Sequence, residues 1–148
     1  MRLTVPIFPQ LSAGSVPHDY LNRARQFQTA ATCLVGYVNG QINWPSYALL
    51  FHACELTLKA YCLQYAPGVH LPKHSLKRLY EIAEQHGLVL PANIAPALDV
   101  LEDMHAQHWA RYPDNRTGPI LDVSAIASEV VETLVNAVSA SFQRRPKP

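Results

Sequence analysis

Residues 46–65 read SYALLFHACELTLKAYCLQY. No glycine or proline interrupts this stretch, and its apolar side chains fall on nearly every side of a 3.6-residue period. A helix apolar all round sits at the centre of a bundle or is shared with a second subunit. Asn43, Trp44 and Pro45 precede it, with proline suited to a first helical turn, and Ala66-Pro67-Gly68 breaks it. This central helix predicts an all-α fold, an up-and-down bundle of four to five helices.

The flanking segments agree. Tyr20, Ala24, Phe27, Ala31, Leu34 and Val38 recur at steps of three and four, which predicts a first helix from about Pro17 that Asn39 and Gly40 stop. A short third helix is expected over about Ser75–His86, with Leu76, Leu79, Tyr80 and Ala83 inward and Gly87 as a left-handed cap. A fourth begins around Pro91–Asn93, carries Ile94, Leu98 and Leu101 inward, and is expected to end just before Pro113. Residues 112–122, YPDNRTGPILD, read as a loop. A fifth helix then runs from about Ser124 to Phe142 on Ile126, Val130, Leu134 and Val138. No segment demands a strand. The organisation predicted is an extended arm over residues 1–16, one bundle over 17–142 and a basic tail over 143–148.

At 148 residues the chain suits a single domain with one core. Charged residues make up 16% against the roughly 25% of average soluble domains, a deficit that points to extra buried surface such as a subunit interface. A net charge of +1 provides no overall field toward nucleic acid or an anionic membrane, so any basic site must be local. No uninterrupted apolar run approaches a membrane span, and MRLTVPIFPQ lacks the pattern of a signal peptide, so no membrane association and a cytoplasmic location are expected. Cys33, Cys54 and Cys62 show no CxxC spacing and read as buried thiols.

Three sets of residues carry candidate chemistry. On the second helix His52, Glu55 and Lys59 are the polar exceptions, in one stripe, with Glu55 four residues before Lys59 in the orientation that favours an ion pair. Such a stripe is either a solvated face or, if buried, a costly pair that needs further hydrogen bonds and suits a site or an interface. Near the start of the third helix Lys73, His74, Lys77 and Arg78 form a short cationic cluster that would suit an anion at a helix N-terminus, or simply a solvated surface. At the end of the fourth, His105 and His108 extend the inward face. Two histidines three apart lack the further ligands a metal needs, and no metal or cofactor is expected. No nucleophile elbow, phosphate-binding glycine loop or Walker motif is present.

Read together, SYALLFHACELTLKAYCL and KHSLKRL resemble the HEPN domain family, which carries a similar apolar helix with a glutamate and an LKA segment followed by an HxL turn. WARYPD at residues 109–114 is similar to the Arg-Tyr-Pro segment of that superfamily, and the resemblance spans roughly residues 17–142. It implies a homodimeric helical bundle and roles in RNA cleavage, toxin–antitoxin pairs or partnership with a nucleotidyltransferase. It brings Glu55 and His74, with Arg111, Tyr112 and Asp114, to the family's recurring positions. The ribonuclease members carry an arginine, four to six residues and a histidine, whereas Arg78 and His86 here have seven residues between them. One extra helical residue turns the pair by about 100°. The chain therefore reads as a HEPN-like dimeric module that lacks the ribonuclease motif. It would bind RNA, a nucleotide phosphate, or a nucleotidyltransferase or antitoxin partner through His52, Glu55, Lys59, His74, Lys77, Arg78, Arg111, Tyr112 and Asp114. The alternative is an active ribonuclease or toxin with an unusual site that draws on His86, His105 or His108.

Overall fold

The computed structural model describes residues 16–34, 37–38, 41–108 and 120–144. Five helices make up nearly all of it: α1 (Val16–Leu34), α2 (Pro45–Tyr65), α3 (Leu76–Gln85), α4 (Ile94–Ala106) and α5 (Val123–Gln143). The protein is all-α, with a two-residue ladder of β1 (Tyr37–Val38) and β2 (Gln41–Ile42) between the first two helices.

α2 occupies the centre. Leu50, Phe51, Ala53, Cys54, Leu58, Ala60 and Cys62 are fully buried, and α1, α3, α4 and α5 all pack against this helix. Its apolar circumference is therefore largely consumed within the chain. Three α2 tyrosines tie it to its neighbours: Tyr47 Oη donates to the Leu121 carbonyl (2.7 Å), Tyr61 Oη to that of His86 (3.0 Å) and Tyr65 Oη to that of Ser141 (2.7 Å). Each hydroxyl keeps a hydrogen bond while its ring stays in the core, which avoids the cost of an unpaired buried polar group.

α1 ends at Leu34 rather than Val38, and Val38 belongs to the ladder instead. Tyr37 pairs with Ile42 and Val38 with Gln41. Asn39 and Gly40, expected to stop α1, lie outside the described residues. The Leu34 carbonyl, otherwise an orphan of the helix end, accepts from Asn43 Nδ2 (2.7 Å) and Ser46 Oγ (3.0 Å), which fastens α1 to the start of α2. Ala24 and Ala31 are buried and Tyr20 and Phe27 pack on the core, but Leu34 is exposed.

α3 follows its expected bounds. Ser75 caps it by accepting from the Arg78 N–H (3.2 Å), and Gly87 at φ 97° ends it. The Leu88 N–H bonds to Ala83 O (3.0 Å) and the Gly87 N–H to Glu84 O (3.1 Å), the paired bonds of a Schellman cap, with Leu88 buried beneath. The connection 66–75 runs back along α2, so α3 starts beside Glu55 and not beside Tyr65. Strict up-and-down alternation is thereby broken between α2 and α3.

α4 stops at Ala106, well short of Pro113, because His108 adopts a left-handed φ of 58° and donates its N–H back to His105 O (2.9 Å). α5 buries Val123, Ile126, Val130, Val131, Leu134, Val135 and Val138, and its Ile126–Val131 segment is π-helical. With a mean hydropathy of 1.3 it has the length and composition of a membrane span. Yet its exposed positions are Ser124, Ser128, Glu129, Glu132, Asn136, Ala140 and Gln143, polar but for one alanine, which is the outer face of a helix that packs in a bundle. Cys54 and Cys62 are buried, and burial pushes their thiols up to about 12 and about 11, whereas Cys33, expected inside, is exposed.

Candidate functional site

The stripe His52-Glu55-Lys59 proves to be inside the protein at its centre and open at its edges. Glu55 has a side chain 5% exposed, Lys59 18% and His52 33%. Lys59 Nζ lies 2.8 Å from Glu55 Oε1 and also donates to the Lys73 carbonyl (2.7 Å), so one ammonium fastens the returning connection to α2. That attachment carries His74, 64% exposed, to 3.0 Å from Glu55 Oε1 through Nδ1. His52 Nδ1 stands 3.3 Å from the other oxygen, Oε2.

An ionised carboxylate only accepts, so both imidazoles present N–H at Nδ1 to Glu55, and their Nε2 atoms are left for another partner. No described residue hydrogen-bonds to Nε2 of either ring. Burial pushes the Glu55 carboxyl up, but hydrogen bonds from His52 and Lys59, with the charges of Lys59 and His74, outweigh it and hold the group at about 2, below its ordinary 4.5. The arrangement is a permanent anion at the floor with two orientable imidazoles and an ammonium around it.

α4 completes the enclosure. His105 stacks on Phe51 with ring centroids 3.7 Å apart and planes within 2°, and it stands edge-on to His52 at 5.7 Å and 6.3 Å from His74. Phe27 of α1 lies 5.4 Å from His52 on the other side. His105 thus belongs with the stripe, a grouping the sequence reading missed. The inward period of α4 was the available signal, but it did not say which α2 residue it would meet. His108 leaves that face at the left-handed turn and is exposed.

The remaining candidates are dispersed. Lys77 contributes its backbone N–H to Glu102 Oε2 (2.8 Å), so a carboxylate of this chain already serves the N-terminus of α3 where a bound anion was expected. Arg78 Nη1 pairs with Glu81 (3.1 Å) on the surface. His86 is an exposed cap residue whose Nδ1 bonds to the Ile82 carbonyl (2.8 Å). Arg111, Tyr112 and Asp114 lie outside the described residues. Among the described residues no three His, Cys, Asp or Glu side chains form a group able to hold a metal ion.

Fold and site together define an all-helical bundle built around a buried carboxylate with a histidine–lysine collar. Comparison with family models, with curated proteins and with solved structures yields no match to this chain.

Proposed function

We propose that the chain is a HEPN-like helical module that dimerises and binds a phosphate group of RNA or a nucleotide at the collar of His52, Lys59 and His74. Its biological partner on this reading is a nucleotidyltransferase or an antitoxin protein, and its setting is the cytoplasm. The observation that carries the proposal is the double engagement of Glu55. One buried carboxylate orients two partly exposed imidazoles through Nδ1 and leaves two Nε2 atoms, which in the imidazolium form donate N–H to the oxygens of an anion. Titration with a 5′-phosphorylated oligoribonucleotide tests it at pH 6 and low salt. His52→Ala/His74→Ala is expected to weaken binding about tenfold or more, about 1.4 kcal/mol. Unchanged affinity in that folded variant overturns the reading.

The same double engagement favours a second reading, a metal-independent ribonuclease, because imidazoles oriented by a carboxylate are the equipment of general acid–base chemistry. The missing arginine-to-histidine spacing favours binding over cleavage. RNA cleavage that survives EDTA and vanishes in His52→Ala or His74→Ala, with variants purified identically, would promote the second reading.

A further inference from the structure

We infer that Lys59 is a positioning residue: its ammonium latches the connection 66–75 onto α2 as a strap, and the latched strap is what delivers His74 to the collar. What the collar binds rests on the phosphate reading above, whereas the latch is a property of the unliganded chain.

The strap has few other attachments. Pro67, Gly68, Val69 and His70 are exposed in succession, and Gly68 stands at φ 82° with open space where a Cβ would be. The Val69 N–H bonds to the Ala66 carbonyl (3.3 Å), but among the described residues no backbone-to-backbone hydrogen bond engages residues 70–74. Leu71 packs on the core. The polar fastenings of 70–74 converge on one point of α2: Lys59 Nζ donates to the Lys73 carbonyl (2.7 Å), and His74 Nδ1 stands 3.0 Å from Glu55 Oε1.

Burial ranks these two fastenings. The Lys59 side chain is 18% exposed and that of His74 64%, so water competes for the imidazole far more than for the ammonium. A charged donor also makes the stronger bond to a carbonyl. Of the three N–H groups of the ammonium, one serves the strap and one serves Glu55 Oε1 (2.8 Å), the same oxygen that His74 meets. Lys59 thus fixes both the acceptor and the chain segment that carries His74 to it. His52, by contrast, stands on α2 itself, three residues before Glu55, and needs no strap. One imidazole of the collar is built into the central helix and the other is conditional on the latch.

Trypsin reads the latch directly, because the carbonyl it attacks at the Lys73–His74 bond is the one that Lys59 holds. When a segment opens and recloses quickly, the rate of such a cut follows the population of the open form. In the unliganded full chain Lys59→Met is expected to speed that cut about tenfold or more, while the cut at Arg25 within α1 keeps its rate. If Lys59→Met speeds both cuts by loosening the whole fold, the same comparison between Glu55→Gln and Glu55→Gln/Lys59→Met decides, since neither carries a stranded carboxylate. Calorimetry with inorganic phosphate supplies the second readout. Lys59→Met should weaken binding about fivefold in the parent and keep that effect on His52→Ala, but add nothing on His74→Ala. A Lys73 cut that is no faster without Lys59 in either comparison overturns the strap. A Lys59→Met loss that persists in full on His74→Ala overturns the positioning role and makes Lys59 a direct phosphate ligand. A parent that binds no phosphate, with a Lys73 cut that still depends on Lys59, removes the phosphate reading and keeps the strap.

Discussion

Glu55 makes three polar contacts from a nearly sealed position, and its removal strands the groups that made them. Losing one partner of a buried pair costs about 3–5 kcal/mol. Lys59 keeps the Lys73 carbonyl and some access to water, so Glu55→Ala is expected at the lower end, about 3 kcal/mol by urea denaturation. Glu55→Ala/Lys59→Met should recover much of the loss. Two variants within about 0.5 kcal/mol of the parent would contradict the buried site. Acid provides a second measurement. The folded carboxyl stands at about 2 and its ordinary value is 4.5, so between these pH values the unfolded chain binds the extra proton. The contribution of Glu55 is therefore complete above about pH 4.5 and is lost as pH falls through about 2, a change of about 3 kcal/mol that Glu55→Gln should abolish. The stripe itself was legible in the sequence from spacing alone. Its burial was not, because α2 is apolar on all sides and period alone cannot say which polar position a neighbour will cover. His74 arrives through the path of the 66–75 connection, which no local pattern encodes.

Among the elements, α3 shows how firmly short signals define a helix end. Gly87 sits at φ 97°, and a Cβ there would meet Tyr61 Oη at an ordinary 3.6 Å. The cost of Gly87→Ala is then conformational and not steric, about 1–2 kcal/mol by denaturation. A neutral result would mean that the cap relaxes to another conformation. The bounds of α2 and α3 were readable because proline, serine and glycine act within a turn of where they stand, whereas α5 opens on Asp122, whose carboxylate accepts from the Ala125 N–H. The ends of α1 and α4 were not. α1 ends at Leu34, a residue that carries no stop signal of its own, and the stop in α4 is a left-handed histidine, a conformation that its residue type does not announce.

For the molecule as a whole, the core around α2 weakens one motive for dimerisation and leaves another. The apolar circumference of that helix is already met by α1, α3, α4 and α5, but Leu49, Leu56 and Leu63 remain only partly covered along one side at seven-residue spacing. A chain with 16% charged residues has little else to keep such a side in water. The expected outcome of sedimentation at tens of micromolar is a homodimer, and Leu49→Lys/Leu63→Lys should shift it to monomer without unfolding. A monomeric parent protein would remove the dimeric part of the proposed function. Fold class followed from the amino-acid pattern because helices are local. Which faces meet a second molecule is a property of the assembled surface.

The wide turn of α5 bears on how this chain tolerates changes of length. Over Ile126–Val131 the helix is wound one residue too full, and the Glu132 N–H reaches back five positions to the Ala127 carbonyl. Such a turn holds a spare residue. Excising Ser128, which faces solvent there, lets the backbone close to an ordinary helix with Leu134, Val135 and Val138 still in phase with the core. Excising Asn136 instead, also exposed but in the regular part of the helix, turns everything after it by about 100° and carries Val138 out of the core. Two shortened chains of identical length should therefore differ sharply in melting temperature, with the first close to the parent and the second well below it.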